Sequence, residues 1–229
     1  MNSNTSPTRV VAFVDIIGWK SAFQSIGHDG LVEIATEISK HKSSFSPEQK
    51  KKMKEFEIQQ GIMQEDNYWK YQDISFSFIS DCFVISASPN NVDTLMGVTK
   101  WACMTLFHQY GLLTRGGITM GKFTHDMTND IAIGIPLNEA VKIEQSTKMP
   151  RIVVNDNVKQ LPELDQLIYF DGEYTILNIA NASLYWLIDA QKRIDDNLNS
   201  NLGAYEKCKW KYISEHLPRM NAELCAKQS

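Results

Sequence analysis

Close to its amino terminus the chain reads Val10-Val11-Ala12-Phe13-Val14-Asp15-Ile16-Ile17-Gly18-Trp19. An apolar run of this kind, closed by a glycine, predicts a strand near residues 8–14 that is buried on both faces. Asp15 stands out because a carboxylate at the end of a buried strand is costly to remove from water unless a positive group meets it. The segment therefore predicts a central strand and, at its end, a charged site.

A second aspartate has similar surroundings roughly 65 residues further along the chain, in Phe76-Ser77-Phe78-Ile79-Ser80-Asp81-Cys82-Phe83-Val84-Ile85. This pattern predicts a hairpin with Asp81 at its tip or just past it. Two carboxylates brought together repel each other unless a cation lies between them. A pair of Mg²⁺ or Mn²⁺ ions is the favoured explanation, and the alternative for Asp15 alone is a helix N-cap.

The rest of the chain alternates predicted helices and strands. Helical periodicity covers 19–42, with a break near Gly27–Gly30, as well as 92–110, 139–147 and most residues from 180 onward. Further strands are predicted at 71–79, 82–87, 112–123, 131–133 and 151–154, and two more around Asp171-Gly172. Residues 43–70 carry charge and little periodicity, which predicts an insertion or a partly helical excursion. The succession indicates an α+β or α/β sandwich with helices packed on one sheet.

Composition excludes several classes of protein. The 229 residues carry a net charge of −4 and a pI near 5.7, so a general nucleic-acid binder is not expected. We find no apolar run of about 18 residues and no signal-peptide core, and therefore expect a cytosolic protein without a membrane partner. The spacing of the cysteines argues against a structural zinc site and against a disulfide framework: Cys82, Cys103, Cys208 and Cys225.

Motifs over about residues 8–178 resemble, in order, those of the class III nucleotidyl cyclase catalytic domain. They are Phe13-Val14-Asp15-Ile16-Ile17-Gly18-Trp19, Phe78-Ile79-Ser80-Asp81-Cys82-Phe83, Arg115-Gly116-Gly117-Ile118-Thr119-Met120-Gly121, Gly134-Ile135-Pro136-Leu137-Asn138-Glu139-Ala140-Val141-Lys142-Ile143 and Arg151-Ile152-Val153-Val154-Asn155. Ser80 stands where the family usually has glycine, and Lys142 where it has arginine. Each motif alone is a weak signal, but their common order makes a fairly strong one.

The resemblance implies a ferredoxin-like α+β catalytic domain, with a central, mostly antiparallel sheet flanked by helices. This domain would occupy residues 1–178, including the insertion at about 43–70, and residues 179–229 would form a C-terminal helical extension packed on it. The implied reaction is attack of a nucleoside triphosphate's own 3′-hydroxyl on its α-phosphate. Pyrophosphate leaves and a 3′,5′-cyclic monophosphate remains.

The resemblance also assigns roles to residues. Asp15, Asp81 and the Ile16 carbonyl would hold two divalent ions, Mn²⁺ or Mg²⁺. The amides of Ile17, Gly18 and Trp19 would face the phosphates at the start of a helix, and Lys122 is a further candidate for a phosphate contact.

Two residues of the fourth motif receive the remaining roles in the reaction. Asn138 would position the ribose and Lys142 would stabilise charge on the α-phosphate. The alternatives are an N-cap for Asn138 and a plain surface lysine for Lys142. In this family the metal aspartates come from one subunit and the asparagine and cation from the other, so a homodimer with two sites is implied.

The base-recognition positions depart from both purine patterns, because they fall on Ser77 and Ile131. Ser77 could contact a carbonyl or imide of the base, while Ile131 could only pack. This combination most resembles the pyrimidine cyclases of bacterial anti-phage (Pycsar) defence, which implies conversion of UTP to cyclic UMP for a separate effector. Cytidylate, adenylate or guanylate cyclases and a catalytically dead nucleotide-binding module remain as alternatives. The aromatic cluster Tyr68, Trp69 and Tyr71 either reaches the base or belongs to the core.

Overall fold

The computed structural model describes residues 6–44, 73–162, 164–180 and 184–228. The helices are α1 (Trp19–Ser44), α2 (Val92–Tyr110), α3 (Ile135–Thr147), α4 (Asp156–Lys159), α5 (Leu184–Asn199) and α6 (Ala204–Gln228). The strands are β1 (Thr8–Ile17), β2 (Ser75–Ile79), β3 (Cys82–Ala87), β4 (Leu113–Asp126), β5 (Ile131–Gly134), β6 (Ile152–Val154), β7 (Ile168–Phe170) and β8 (Thr175–Leu177). The aromatic cluster and all of the predicted insertion beyond residue 44 lie outside the described residues.

The strands form one mostly antiparallel sheet. Its order is β2-β3-β1-β4-β6-β8-β7, and β5 pairs with the far end of β4. The β4–β6 pair is parallel, while the other pairs are antiparallel. Helices flank this sheet, which confirms the predicted α+β fold with C-terminal helices.

The alternation of β1 separates a core face from a second face, which we call the site face. Val10, Val14 and Ile16 are buried in the main core together with apolar residues of α1 and α2. Asp15 points to the opposite side, because successive side chains of a strand alternate between the faces. Its cross-strand neighbours on the site face are Cys82 of β3 and Arg115 of β4.

Helix α3 packs on the site face over glycines of β4. A Cβ at Gly117 would lie 2.8 Å from the Ala140 carbonyl oxygen and 3.1 Å from its Cα, and only glycine lets the helix come so close. The Thr119 hydroxyl also donates a 2.7 Å hydrogen bond to the Pro136 carbonyl. These contacts fix α3 against the strand that neighbours β1.

Several predicted boundaries agree with the structure, and two alternatives are wrong. Helix α2 ends at Gly111, whose φ of 67° is the left-handed value that glycine tolerates best. The N-cap of α3 is Gly134, so Asn138 lies inside the helix and is not its cap. Strand β1 continues to Ile17, past the predicted residue 14, because Asp15 is paired on both sides; Asp15 therefore does not cap α1.

The C-terminal helices pack on the outer part of the sheet. Trp210 and Ile213 of α6 share a buried cluster with Phe107 of α2 and Leu113 of β4. Tyr212 of α6 donates a hydrogen bond of 2.5 Å to Asp171. No helix within the described ranges is long and apolar enough to cross a bilayer.

Candidate active site

Asp15 lies at the carboxyl end of β1 on the site face. Its side chain is 21% exposed, so the carboxylate is partly shielded but still reachable from solvent. Burial raises the pKa of Asp15; the Arg115 guanidinium opposes this change and the Asp81 carboxylate adds to it. A cation placed beside this carboxylate would stabilise its charged form.

Asp81 occupies the tight turn between β2 and β3. The backbone amide of Ile16 donates a 2.8 Å hydrogen bond to the Asp81 carbonyl oxygen, which fastens the turn to the strand that carries Asp15. Ser80 precedes Asp81 with a left-handed φ of 58°. This conformation favours glycine, which gives a physical reason for the residue that the family usually has there. The structure thus brings together the two predicted metal-binding aspartates.

An ion-pair cluster surrounds Asp15. Arg115 Nε lies 3.2 Å from Asp15 Oδ2 and also pairs with Glu144 Oε1 of α3. The Glu144 side chain is only 7% exposed, and burial raises its pKa, with Arg115 opposing the change. Sequence reasoning assigned no role to either residue. The signal for Arg115 was its position as a charged residue in the motif Arg115–Gly121. Glu144 had no such signal, because its position depends on how α3 packs.

Cys82 of β3 is the cross-strand neighbour of Asp15 on the site face. Burial, with added effects of the Asp81, Asp15 and Glu144 charges, raises the pKa of its thiol to about 11. A thiol with such a pKa stays protonated near neutrality and is a poor nucleophile. Cys82 is therefore not a candidate nucleophile at this site.

The C-terminal extension contributes a positive charge near the cluster. Lys209 of α6 is 8% exposed, and its ammonium lies 4.2 Å from the centre of the Tyr205 ring. Burial lowers the pKa of Lys209, and its charge is among those that lower the pKa of Asp15. The electrostatics of the site therefore depend in part on α6.

The donor set fits hard divalent cations that share their ligands with a substrate. No group of three or more His, Cys, Asp or Glu side chains suited to holding a metal occurs in the part of the chain that the structure describes. Magnesium usually binds through one or two carboxylates, with waters and substrate phosphates as its other ligands. Asp15 and Asp81 would supply the two carboxylates for such an ion, and the Ile16 carbonyl lies on the same segment as Asp15.

The predicted phosphate-binding amides lie at the junction of β1 and α1. Gly18 is exposed and has a φ of 84°, and its carbonyl accepts the first hydrogen bond of α1, from the Ala22 amide at 2.9 Å. Trp19 begins the helix, where the macrodipole favours an anion. Ile17, Gly18 and Trp19 therefore lie two to four residues after Asp15, where α1 begins, as the sequence predicts.

The residues predicted for transition-state contacts point away from Asp15 of the same chain. Asn138 and Lys142 are both exposed and lie one turn apart on α3. Glu144 is two residues beyond Lys142 and faces the opposite side of the helix, toward Arg115. Within one chain, Asn138 and Lys142 therefore face away from Asp15.

The remaining predicted residues are dispersed. Lys122 is exposed and pairs with Thr8, at the other end of β1 from Asp15 and seven residues, or about 23 Å, along β4 from Arg115. Ser77 lies on the site face of β2, with its hydroxyl 2.9 Å from His125 Nε2. Ile131 is 44% exposed on β5. The structure brings neither Lys122 nor Ile131 to the aspartates within one chain.

The fold is that of solved nucleotide cyclase domains. The catalytic core of a rhodopsin-guanylyl cyclase with converted specificity, in complex with ATPαS, is 12% identical, with a TM-score of 0.50 over 75% of this chain and 93% of that chain. A bacterial light-regulated adenylyl cyclase is 12% identical, with a TM-score of 0.47 over 82% of this chain and 56% of that chain. The monomeric guanylyl cyclase domain of the RhoGC fusion protein from the aquatic fungus Blastocladiella emersonii is 11% identical, with a TM-score of 0.44 over 75% and 95%.

No protein-family model and no curated protein sequence matches the chain. The fold assignment therefore depends on the likeness to the rhodopsin-guanylyl cyclase core. At 12% identity this likeness concerns the fold alone. The chain has the fold of the class III nucleotide cyclase catalytic domain.

Proposed function

We propose that the protein is a nucleotide cyclase that converts UTP to 3′,5′-cyclic UMP and pyrophosphate, at sites shared by two copies of the chain. The observation that carries this proposal is the meeting of Asp15 and Asp81 at the carboxyl end of β1, beside the start of α1. Carboxylates and helix-start amides on adjoining segments are the groups that bind a metal-complexed triphosphate.

Two divalent ions bound at this site would lower the pKa of the 3′-hydroxyl and neutralise charge on the phosphates. Asp15 and Asp81 would hold them, with the Ile16 carbonyl as a further ligand. The amides of Ile17 through Trp19 would orient the triphosphate. Arg115 is also paired with Glu144, so a metal ion that replaced Arg115 beside Asp15 would not leave the arginine without a carboxylate partner.

A second copy of the chain would supply Asn138 and Lys142. Both face solvent on α3, as a site completed by a partner requires. Near them the surface exposes a row of isoleucines, with exposed fractions of 44%, 66% and 69%: Ile131, Ile133 and Ile135. An apolar patch beside unused polar residues is typical of a protein interface. This geometry supports a homodimer with two equivalent sites.

The identity of the base is the most specific part of the proposal. Ser77 offers one short hydrogen bond and Ile131 only apolar contact, and neither matches the residues with which the family selects adenine or guanine. We favour UTP among the pyrimidine nucleotides, with cyclic UMP acting on a separate effector in anti-phage defence, because the sequence most resembles those cyclases.

The test is incubation of the purified protein with each of the four nucleoside triphosphates and Mn²⁺ or Mg²⁺, with cyclic products identified by mass spectrometry. We expect cyclic UMP from UTP and none from Asp15→Ala. Cyclisation of ATP or GTP alone would overturn the pyrimidine assignment.

A catalytically dead nucleotide-binding module is the second candidate, because Lys142 replaces the family's arginine and lacks its bidentate fork. That function is supported if wild type forms no cyclic product and nucleotide binding survives Asp15→Ala.

A further inference from the structure

A chain of hydrogen bonds on the site face ends at Ser77, a predicted base-contacting residue. Arg9 Nε of β1 donates to Ser86 Oγ of β3 at 3.0 Å. Ser86 Oγ lies 3.0 Å from His125 Nδ1 of β4, and His125 Nε2 lies 2.9 Å from Ser77 Oγ of β2. The chain of bonds therefore links four strands and passes through one imidazole.

Arg9, the first residue of this series of hydrogen bonds, has a fixed orientation. Arg9 Nη1 donates to Asp73 Oδ1 at 3.0 Å, and Nη2 donates to the carbonyl oxygens of Asp73 at 2.6 Å and Ser86 at 2.9 Å. The Asp73 carboxylate also accepts from Asn91 Nδ2 at 3.0 Å. Because a guanidinium has donors and no acceptor, the polarity at this end of the chain cannot reverse.

The fixed end sets the direction of the bonds that follow. Ser86 is fully buried, and its Oγ accepts from Arg9, so its own proton needs an acceptor. His125 Nδ1 is the nearby acceptor. We assign the neutral His125 tautomer with its proton on Nε2, which then donates to Ser77 Oγ. The Ser77 proton is left to point outward, toward Met127 Sδ at 3.7 Å.

We propose that His125 is a positioning residue for base selection, because its Nε2–H occupies one acceptor position of the Ser77 hydroxyl and leaves the Ser77 proton to be donated to the base of the nucleotide. The proposal rests on the proposed function. It selects between the two contacts open to Ser77: the hydroxyl donates to an acceptor, such as a carbonyl oxygen or an unprotonated ring nitrogen, in preference to accepting from an imide N–H.

The base of a nucleotide can replace Met127 as the acceptor of the Ser77 proton. A thioether sulfur is a weak acceptor, and a base carbonyl or ring nitrogen is a stronger one, so exchange of Met127 for the base is favourable. Uracil and cytosine carry opposite donor and acceptor groups at C4 and at N3. A site whose serine donates its proton to the base therefore distinguishes UTP from CTP, whichever of the two positions it meets.

The test compares UTP with CTP in wild type, Ser77→Ala, His125→Phe and the double variant. Phenylalanine keeps an aromatic ring beside Phe123, whose ring centre lies 5.7 Å from that of His125. We expect each single variant to lower the ratio of kcat/KM for the two nucleotides by about 5- to 100-fold. The double variant should lose no more than Ser77→Ala alone, because His125 acts through Ser77.

Thr124→Val is the matched control, since Thr124 is the neighbour of His125 and its hydroxyl bonds Ser6 instead. Its ratio should equal that of wild type. The proposal is overturned if wild type does not distinguish UTP from CTP. It is also overturned if His125→Phe slows both nucleotides by the same factor, or if the single losses multiply in the double variant. Thermal unfolding of each variant verifies that it is folded.

Binding of 3′-deoxy-UTP and 3′-deoxy-CTP with Mn²⁺ separates this proposal from the proposed function, because these analogues lack the attacking hydroxyl. If no nucleotide is cyclised but the binding ratio falls in His125→Phe, the cyclase proposal fails and the role of His125 stands. If wild type cyclises a nucleotide and both ratios are unchanged in His125→Phe, the cyclase proposal stands and the role of His125 fails.

Discussion

The backbone amide of Ile16 bonds the carbonyl oxygen of Asp81 at a distance of 2.8 Å. Because Ile16 directly follows Asp15, this one bond fastens the backbone of Asp81 to the segment that carries Asp15 without using either side chain. Burial raises the pKa of Asp15 and the nearby Asp81 charge adds to the change, so a bound cation would stabilise the charged form of both carboxylates.

Asp15→Asn and Asp81→Asn should each abolish cyclisation while the protein stays folded. Loss of a metal-binding carboxylate removes several kcal/mol of transition-state stabilisation, and we expect activity to fall by about 100-fold or more. Product formation, Mn²⁺ binding and thermal unfolding are the measurements. Asp156→Asn, at an exposed site on α4, is the control and should keep full activity.

Mixed dimers should recover activity from two inactive variants. When Asp15→Asn and Asn138→Ala chains are mixed and allowed to exchange, half of the dimers are mixed and each has one intact site, so about a quarter of wild-type activity returns. A mixture of Asp15→Asn with Asp81→Asn should recover none, because both changes damage the same half-site. Activity in Asn138→Ala alone, or no recovery in the first mixture, would contradict a shared site.

Gly117→Ala should displace α3 and lower both stability and activity. The added Cβ would lie 2.8 Å from the backbone oxygen of Ala140, so the helix that carries Asn138 must move. Gly97→Ala is the matched control, because Gly97 is an exposed helical residue with nothing within 4 Å of the new Cβ. The control should gain up to about 1 kcal/mol of unfolding free energy. Equal melting temperatures for the two variants would refute this account of the glycine.

Arg151→Met should be strongly destabilising. The Arg151 side chain is 6% exposed and pairs with Asp171 at 2.7 Å, and the Asp171 side chain is 1% exposed. Removing the arginine leaves a buried carboxylate without its charge partner, which costs about 3–5 kcal/mol. Denaturant unfolding measures the loss. The double variant Arg151→Met/Asp171→Asn should lose less than the single one; a larger loss would contradict this explanation.

Stability should fall in acid in a way that depends on Asp171. Burial would raise its pKa, but hydrogen bonds from Tyr212, from the Tyr174 amide and from Arg151 lower it to about 2. Its folded-state pKa lies below the unfolded value, so its contribution is present above about pH 4 and is lost as the pH falls toward 2. The urea midpoint measured over this range should therefore drop more steeply in wild type than in Asp171→Asn.

Much of the fold could be predicted because local signals agree with the final packing. The apolar run before Asp15 forms the central strand, and Gly111 ends α2 in the conformation that glycine favours. The turn at Ser80 and Asp81 also follows from its surroundings, since both flanking strands are apolar or alternate.

The contacts of Arg115, Glu144 and His125 could not be predicted in the same way. The pairing of Arg115 with Asp15 depends on the register between β1 and β4, and Glu144 joins them only because α3 packs closely over Gly117. His125 reaches Ser77 and Ser86 because the end of β4 crosses the site face. Such contacts depend on the tertiary structure and leave no local pattern.

Helix α3 carries Glu144 toward Asp15 of its own chain, while Asn138 and Lys142 are turned outward. In the proposed dimer, one rigid element thus belongs to both reaction centres. A shift of α3 that brings Asn138 closer to the ribose in one centre also moves Glu144, the second partner of the Arg115 that pairs with Asp15, in the other. The two centres would then be mechanically coupled, and nucleotide binding at one would alter the nucleotide affinity of the other.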